Sequence, residues 1–131
     1  SRTPFDKNET LWGGWWFEND RLKLIHLGDT GYTYDFTSIY EALGSPDVAF
    51  IPIGAYEPRS IMKDSHLNPK ESVQAAIDLK ARVAIGMHWG TFTLTDEPVL
   101  DPPLVLSKEL NRLNLDNLFK IPKPGQIISL E

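Results

Sequence analysis

Val48-Ala49-Phe50-Ile51-Pro52-Ile53, running directly into Gly54-Ala55-Tyr56-Glu57-Pro58-Arg59, is an apolar strand that turns abruptly polar at its carboxyl end. Its apolar residues occupy both odd and even positions, as expected in the middle of a covered sheet. Val83 to Met87 repeats the pattern and runs into His88-Trp89-Gly90-Thr91. Between the two strands, Asn68-Pro69-Lys70-Glu71 supplies a capping residue, a proline at the first helical position and a glutamate three residues after the cap. That spacing predicts a helix over 69–80 with Val73, Ala76 and Ile77 turned inward. Strand, helix, strand in this order is a parallel unit with a right-handed crossover.

Upstream, Leu11 to Phe17 and Arg21 to Leu27 are aromatic and β-branched runs joined by Glu18-Asn19-Asp20, which predicts an antiparallel hairpin. Asp35 can cap a helix whose Phe36, Ile39, Tyr40 and Leu43 share one face, closed by Gly44. Downstream, Thr95 to Pro103 is polar and Pro-rich. A helix is expected near Ser107 to Leu113, with Leu106, Leu110 and Leu113 on one stripe, and Ile127 to Leu130 as a last edge strand. The sum is an α/β fold, a layered sheet with covering helices.

At 131 residues the chain is one domain at most. With 41% apolar and 24% charged residues it is neither a disordered tail nor a fibre. It contains no cysteine, so disulfides, thiolate metal sites, cysteine nucleophiles and iron–sulfur clusters are all excluded. Any metal must sit on histidine and carboxylate. A net charge of −5 with scattered basic residues argues against nucleic acid as a partner. No apolar run approaches the ~20 residues that cross a bilayer. The chain opens on Ser1-Arg2-Thr3-Pro4, without initiator methionine or signal segment, which reads as a cut or processed piece.

Three strands end in polar segments: Gly28-Asp29-Thr30-Gly31-Tyr32, the Gly54 to Arg59 run, and His88-Trp89-Gly90-Thr91. In an open α/β sheet the carboxyl ends of parallel strands gather on one edge, where ligands bind. Asp29, between two glycines, offers a hard oxygen donor where a ligand can approach, although one Asp after a strand is more often a turn or cap residue. A single His at a strand tip, as His88 is, is more often a hydrogen-bonded core residue than a ligand. His66, in the loop before Asn68, can act as acid, base or phosphate contact, or stand exposed with no role. His26 reads as sheet packing. Tyr56, Glu57, Arg59, Lys63 and Asp64 form a charged loop at the same sheet edge, which makes Tyr56 and Arg59 candidate substrate contacts. Trp12, Trp15 and Trp16 either fill a core on two faces or wall a cleft or docking surface.

Taken together, Gly28-Asp29-Thr30-Gly31-Tyr32, Ile51 to Arg59 with Met62-Lys63 and His66, and His88-Trp89-Gly90-Thr91-Phe92 resemble the C-terminal half of the metallo-β-lactamase superfamily. The branch is the one containing N-acylphosphatidylethanolamine-hydrolysing phospholipase D and its bacterial relatives. Order and spacing match from about Leu11 to Pro103. The resemblance implies an αββα sandwich with two metals, usually zinc, between the edges of two sheets. It implies Asp29 as the carboxylate bridging both metals, His88 as the last histidine ligand of the second, and His66 as a contact to the substrate phosphate. The activity it implies is zinc-dependent hydrolysis, of phospholipase D type on a phosphodiester or lipid, by metal-bound hydroxide.

The family's His-x-His-x-Asp-His motif is absent, and His26 is the only further histidine. A catalytic zinc needs about three protein ligands, and a two-metal site roughly six. Residues 1–131 therefore read as a partial domain, inactive alone, whose partner is the N-terminal half of the same domain or a second chain carrying it. A bare sheet face is also expected to drive self-association into a homo-oligomer. The expected location is the bacterial cytoplasm or a membrane. The alternative is a non-catalytic interaction module, or a degenerate family member, with a Trp-rich docking surface.

Overall fold

In the computed structural model, which describes residues 13–123 and 125–129, strands and helices alternate. β1 (Trp15–Glu18) and β2 (Lys23–His26) pair antiparallel, joined by a turn in which the Asn19 side-chain oxygen accepts from the Arg21 and Leu22 amides. β3 (Val48–Pro52) pairs parallel with β2, β4 (Val83–Met87) with β3, and β5 (Phe119–Lys120) with β4. Among the described residues strand order in the sheet is sequential, with only the first pair antiparallel. The hairpin, the two central strands and the mixed α/β sheet stand as the sequence predicts. Leu11 and Trp12 of the expected hairpin lie outside the described residues.

Register divides the sheet into two unlike faces. Ile25, Ala49, Ala84 and Phe119 form one row across four strands. They are buried in one core with residues of α1 (Asp35–Leu43), α3 (Pro69–Asp78) and α4 (Asp101–Leu113), among them Phe36, Val73, Ala76, Leu106 and Leu110, and with Leu79, which caps the end of α3. Small alanines at the middle of the row let the helices approach the sheet. Each large aliphatic side chain fully buried here contributes about 1.5–3 kcal/mol. On the opposite face Trp15, His26, Phe50, Ile85 and Lys120 form one row, and Phe17, Leu24, Val48 and Val83 another. Val48, Val83 and Ile85 are buried there against Leu22, Leu24, Phe50 and Ile128, none of them from a helix. At the β1 edge of that face Trp15 is 69% and Phe17 55% exposed.

The capping box that opens α3 is complete: Asn68 Oδ1 accepts from the Glu71 amide and Glu71 Oε2 from the Asn68 amide. Other expectations need correction. Asp35 is the first helical residue, not the cap; its carboxylate accepts from Thr33 Oγ1. Ile77 is 39% exposed, because the inward stripe of α3 runs through Val73 and Ala76 and continues at Leu79. α4 begins at Asp101 rather than near Ser107, since Pro102 and Pro103 sit in the first turn, where no intrahelical amide bond is needed. The last strand is Phe119–Lys120; the described part of Ile127 to Leu130 runs without strand pairing and lays Ile128 on the second sheet face. The charged loop after β3 contains one helical turn, α2 (Arg59–Met62).

Candidate functional site

The carboxyl ends of β2, β3 and β4 deliver the polar segments to one edge. Beyond β2, Gly28 at φ +67° turns the chain so that Asp29 projects with its side chain 62% exposed. Beyond β4, His88 takes a left-handed conformation at φ +62°, an unusual one for a non-glycine residue and one that collects at functional sites. Two glycines make the convergence physically possible. A Cβ on Gly54 would collide with the His88 carbonyl oxygen, so only glycine lets the β3 end lie against the β4 end. A Cβ on Gly31 would lie 2.6 Å from the Asp64 oxygen and 2.7 Å from the Lys63 oxygen, so the Asp29 loop is seated directly on the backbone after α2.

Asp29 Oδ1 and His88 Nε2 are 3.5 Å apart. That exceeds the ~2.7–2.9 Å of a direct charge-assisted hydrogen bond. Two donors each ~2.0–2.1 Å from one tetrahedral cation stand roughly 3.3–3.4 Å apart, so the pair fits one shared ion. A carboxylate oxygen with an imidazole nitrogen is also a donor set that zinc accepts. The His66 and His88 rings lie with centroids 5.2 Å apart, tilted by 36°. Asp29, His66 and His88 thus stand at one place, although no group of three or more His, Asp or Glu among the described residues is arranged to hold a metal by itself.

His66 is perturbed by its surroundings. Burial, and secondarily the adjacent His88, hold its imidazole below the ordinary histidine pKa, so it is neutral at pH 7. Its Nδ1 is buried with no hydrogen-bond partner. Only Nε2 is left for a ligand.

The two expected substrate contacts are engaged within the protein. Arg59 Nη1 donates to the His66 carbonyl at 2.8 Å, and Nη2 to both carboxylate oxygens of Glu71 at 2.9 and 2.7 Å. Tyr56 is 7% exposed, and burial raises the pKa of its hydroxyl. His26 stacks on Phe50 with centroids 5.8 Å apart and accepts from the Gly28 amide through Nδ1, a packing and turn role.

Sequence reasoning missed Glu97. Its two carboxylate oxygens accept from the backbone amides of Tyr56 and Glu57 at 3.2 and 3.0 Å, and the Asp96 amide donates to the Glu57 carbonyl. Burial pushes the Glu97 carboxyl up, but these amides and the Thr95 side chain outweigh it and hold the pKa below the usual value. The clamp ties the Pro-rich segment to the loop after β3. It walls a cavity of about 290 Å³ beside His88, lined by Gly54, Ala55, Trp89, Phe92 and Val99 among others. Nothing in the Thr95 to Pro103 composition marks Glu97; it is defined by its amide partners, which lie some 40 residues upstream.

A mixed sheet with helices packed on one face and carboxylate and imidazole donors at the strand tips fits the metallo-β-lactamase fold. Residues 1–89 match the β-lactamase superfamily domain, and the chain belongs to that family. It is 46% identical over 99 residues to an N-acyl-phosphatidylethanolamine-hydrolyzing phospholipase D of Caenorhabditis elegans, a match covering 74% of this chain and 28% of that protein. It is 34% identical over 113 residues to a metal-dependent hydrolase of Methanopyrus kandleri, covering 86% of this chain and 44% of the relative. Among solved structures, the isothiocyanate hydrolase from Delia radicum gut bacteria superposes with a TM-score of 0.71 at 12% identity, covering 88% of this chain and 42% of that one, which shows the shared fold. The chain spans less than half the length of each.

Proposed function

We propose that this chain contributes part of the active site of a metal-dependent hydrolase, a phosphodiesterase of phospholipase D type. The observation that carries the reading is the 3.5 Å separation of Asp29 Oδ1 and His88 Nε2 at the strand tips, a spacing suited to one shared cation. The kinship with a phospholipase D and with a metal-dependent hydrolase supports it. Asp29 and His88 would be among the residues that hold a metal pair, zinc by their donor chemistry. Such a pair, when bound, acidifies water and neutralises charge developing on phosphorus.

The chain's own residues do the rest. His66, neutral and with Nδ1 enclosed, presents Nε2 to a phosphoryl oxygen and donates a hydrogen bond there. Glu97 keeps the cavity wall beside His88 in place. The remaining ligands come from an N-terminal half of the same domain or from a second chain, seated on the face that carries Trp15, Phe17, Leu24 and Phe50. The isolated chain is then inactive.

The test compares metal content and phosphodiesterase turnover of the complete protein with those of Asp29→Ala, His88→Ala and His66→Ala. The proposal expects metal lost in the first two, and metal kept but turnover lost in the third. Unchanged metal content in both Asp29→Ala and His88→Ala would refute the ligand roles. A second reading, a docking module, rests on the exposure of Trp15 and Phe17. It requires partner binding that survives chelation and is lost in Trp15→Ala.

A further inference from the structure

A histidine that contacts a ligand is normally oriented by a hydrogen bond to its other ring nitrogen. His66 has none: Nδ1 is buried and unpartnered. Its ring can be held only by packing and by its own backbone. That backbone is held by a specific device. Arg59 Nη1 donates to the His66 carbonyl at 2.8 Å and reaches the Tyr56 carbonyl at 3.4 Å, while Nη2 forks onto Glu71. Glu71 in turn closes the Asn68 capping box, and Ser72, fully buried, donates from Oγ toward the Asn68 and Pro52 carbonyls. The His66 peptide is thereby pinned between the α2 turn, the rigid start of α3 and the end of β3.

We infer that Arg59, braced by Glu71, is the positioning residue for His66, setting the imidazole beside His88 through the His66 carbonyl in place of the missing ring hydrogen bond. Arginine is required because three acceptors in different directions need a planar fork, which a lysine ammonium on a flexible stem cannot reproduce. The ion pair is only about three-quarters buried, with side-chain exposures of 24% and 22%, so its contribution is geometric before it is energetic. The inference rests on the reading of His66 as a substrate contact.

The experiment is imidazole nitrogen NMR on the metal-free 131-residue chain, comparing parent, Arg59→Lys and Arg59→Gln, with His26 as internal reference. In both variants the His66 signals should move and broaden, the His88 signals should follow because the rings are neighbours, and the His26 signals should stay. His66 signals identical to the parent's in a folded variant would overturn the inference. Should both variants unfold, the parent decides: separate, slowly exchanging Arg59 Nη protons support the fork, and averaged ones refute it. In the complete enzyme, Arg59→Gln should lower kcat about 10–100-fold with KM nearly unchanged. Moved imidazole signals with unchanged kcat would refute the catalytic role of His66 while leaving the anchoring standing. Unmoved signals refute the anchoring whatever the kcat.

Discussion

Gly31→Ala probes how the Asp29 loop is seated. A methyl group at residue 31 would stand 2.6 Å from the Asp64 oxygen, 2.7 Å from the Asp64 carbon and 2.7 Å from the Lys63 oxygen, all backbone atoms. Ordinary contact begins near 3.4 Å, so the loop must lift by roughly 0.8 Å. No flexible side chain can absorb the change. Overpacking of this kind costs about 1–3 kcal/mol. Asp29 lies two residues from the lifted point, so the same displacement carries its carboxylate away from His88 and opens the 3.5 Å gap beyond the reach of one shared ion. A misplacement of about 1 Å at a reacting centre costs on the order of 100-fold in rate. Urea unfolding of the chain should show the loss of stability, and metal titration of the complete protein should show weaker binding. A variant within about 0.5 kcal/mol of the parent, with unchanged metal affinity, would refute the argument that the loop is seated on the Lys63–Asp64 backbone.

Three further outcomes are expected. Asn68→Ala removes one half of the capping box and should cost about 1 kcal/mol, read as a lower urea midpoint at constant m-value; an unchanged midpoint would show that the cap adds nothing. Tyr32 donates to Asp78 at 2.6 Å, and that bond together with burial pushes its hydroxyl up to about 12, against ~10 for an unfolded tyrosine. The folded state favours the protonated phenol, so this stabilisation is complete below pH ~10 and disappears between pH ~10 and 12. Tyr32→Phe should remove that part of the alkaline loss, and identical alkaline stability profiles would contradict it. Trp15 and Phe17 leave apolar surface exposed at the β1 edge of the sheet, so the isolated chain should self-associate and Trp15→Asp with Phe17→Asp should make it monomeric by light scattering. A monodisperse parent monomer would show that this edge needs no cover.

Much of this architecture is readable in the residues because local and tertiary preferences agree there. Asn68-Pro69-Lys70-Glu71 satisfies its own helix start, and the structure contains both reciprocal bonds. Val48 to Pro52 and Val83 to Met87 have few polar atoms to satisfy outside the ladder, and they pair in parallel over five residues. Where the reading failed, either the local signal was ambiguous or a long-range contact outweighed it. Pro102-Pro103 looks like a break, yet proline is compatible with a first helical turn. Ile127 to Leu130 is apolar enough to suggest a strand, but the Ala84 amide donates to Leu118, so the β4 edge is taken by the segment that follows α4. Asp29 and His88 were legible as strand-tip residues. The tasks of Arg59 and Glu97 were not, because each is defined by backbone carbonyls or amides, which carry no signature in side-chain type.

The proposed function stands or falls on whether Asp29 and His88 share a cation. Crystals of the complete protein loaded with zinc, measured at the zinc absorption edge, test it directly. An anomalous peak is expected about 2.0–2.2 Å from both an Asp29 carboxylate oxygen and the His88 Nε2 atom. A peak that lies on neither residue, or zinc bound wholly by other side chains, would contradict it.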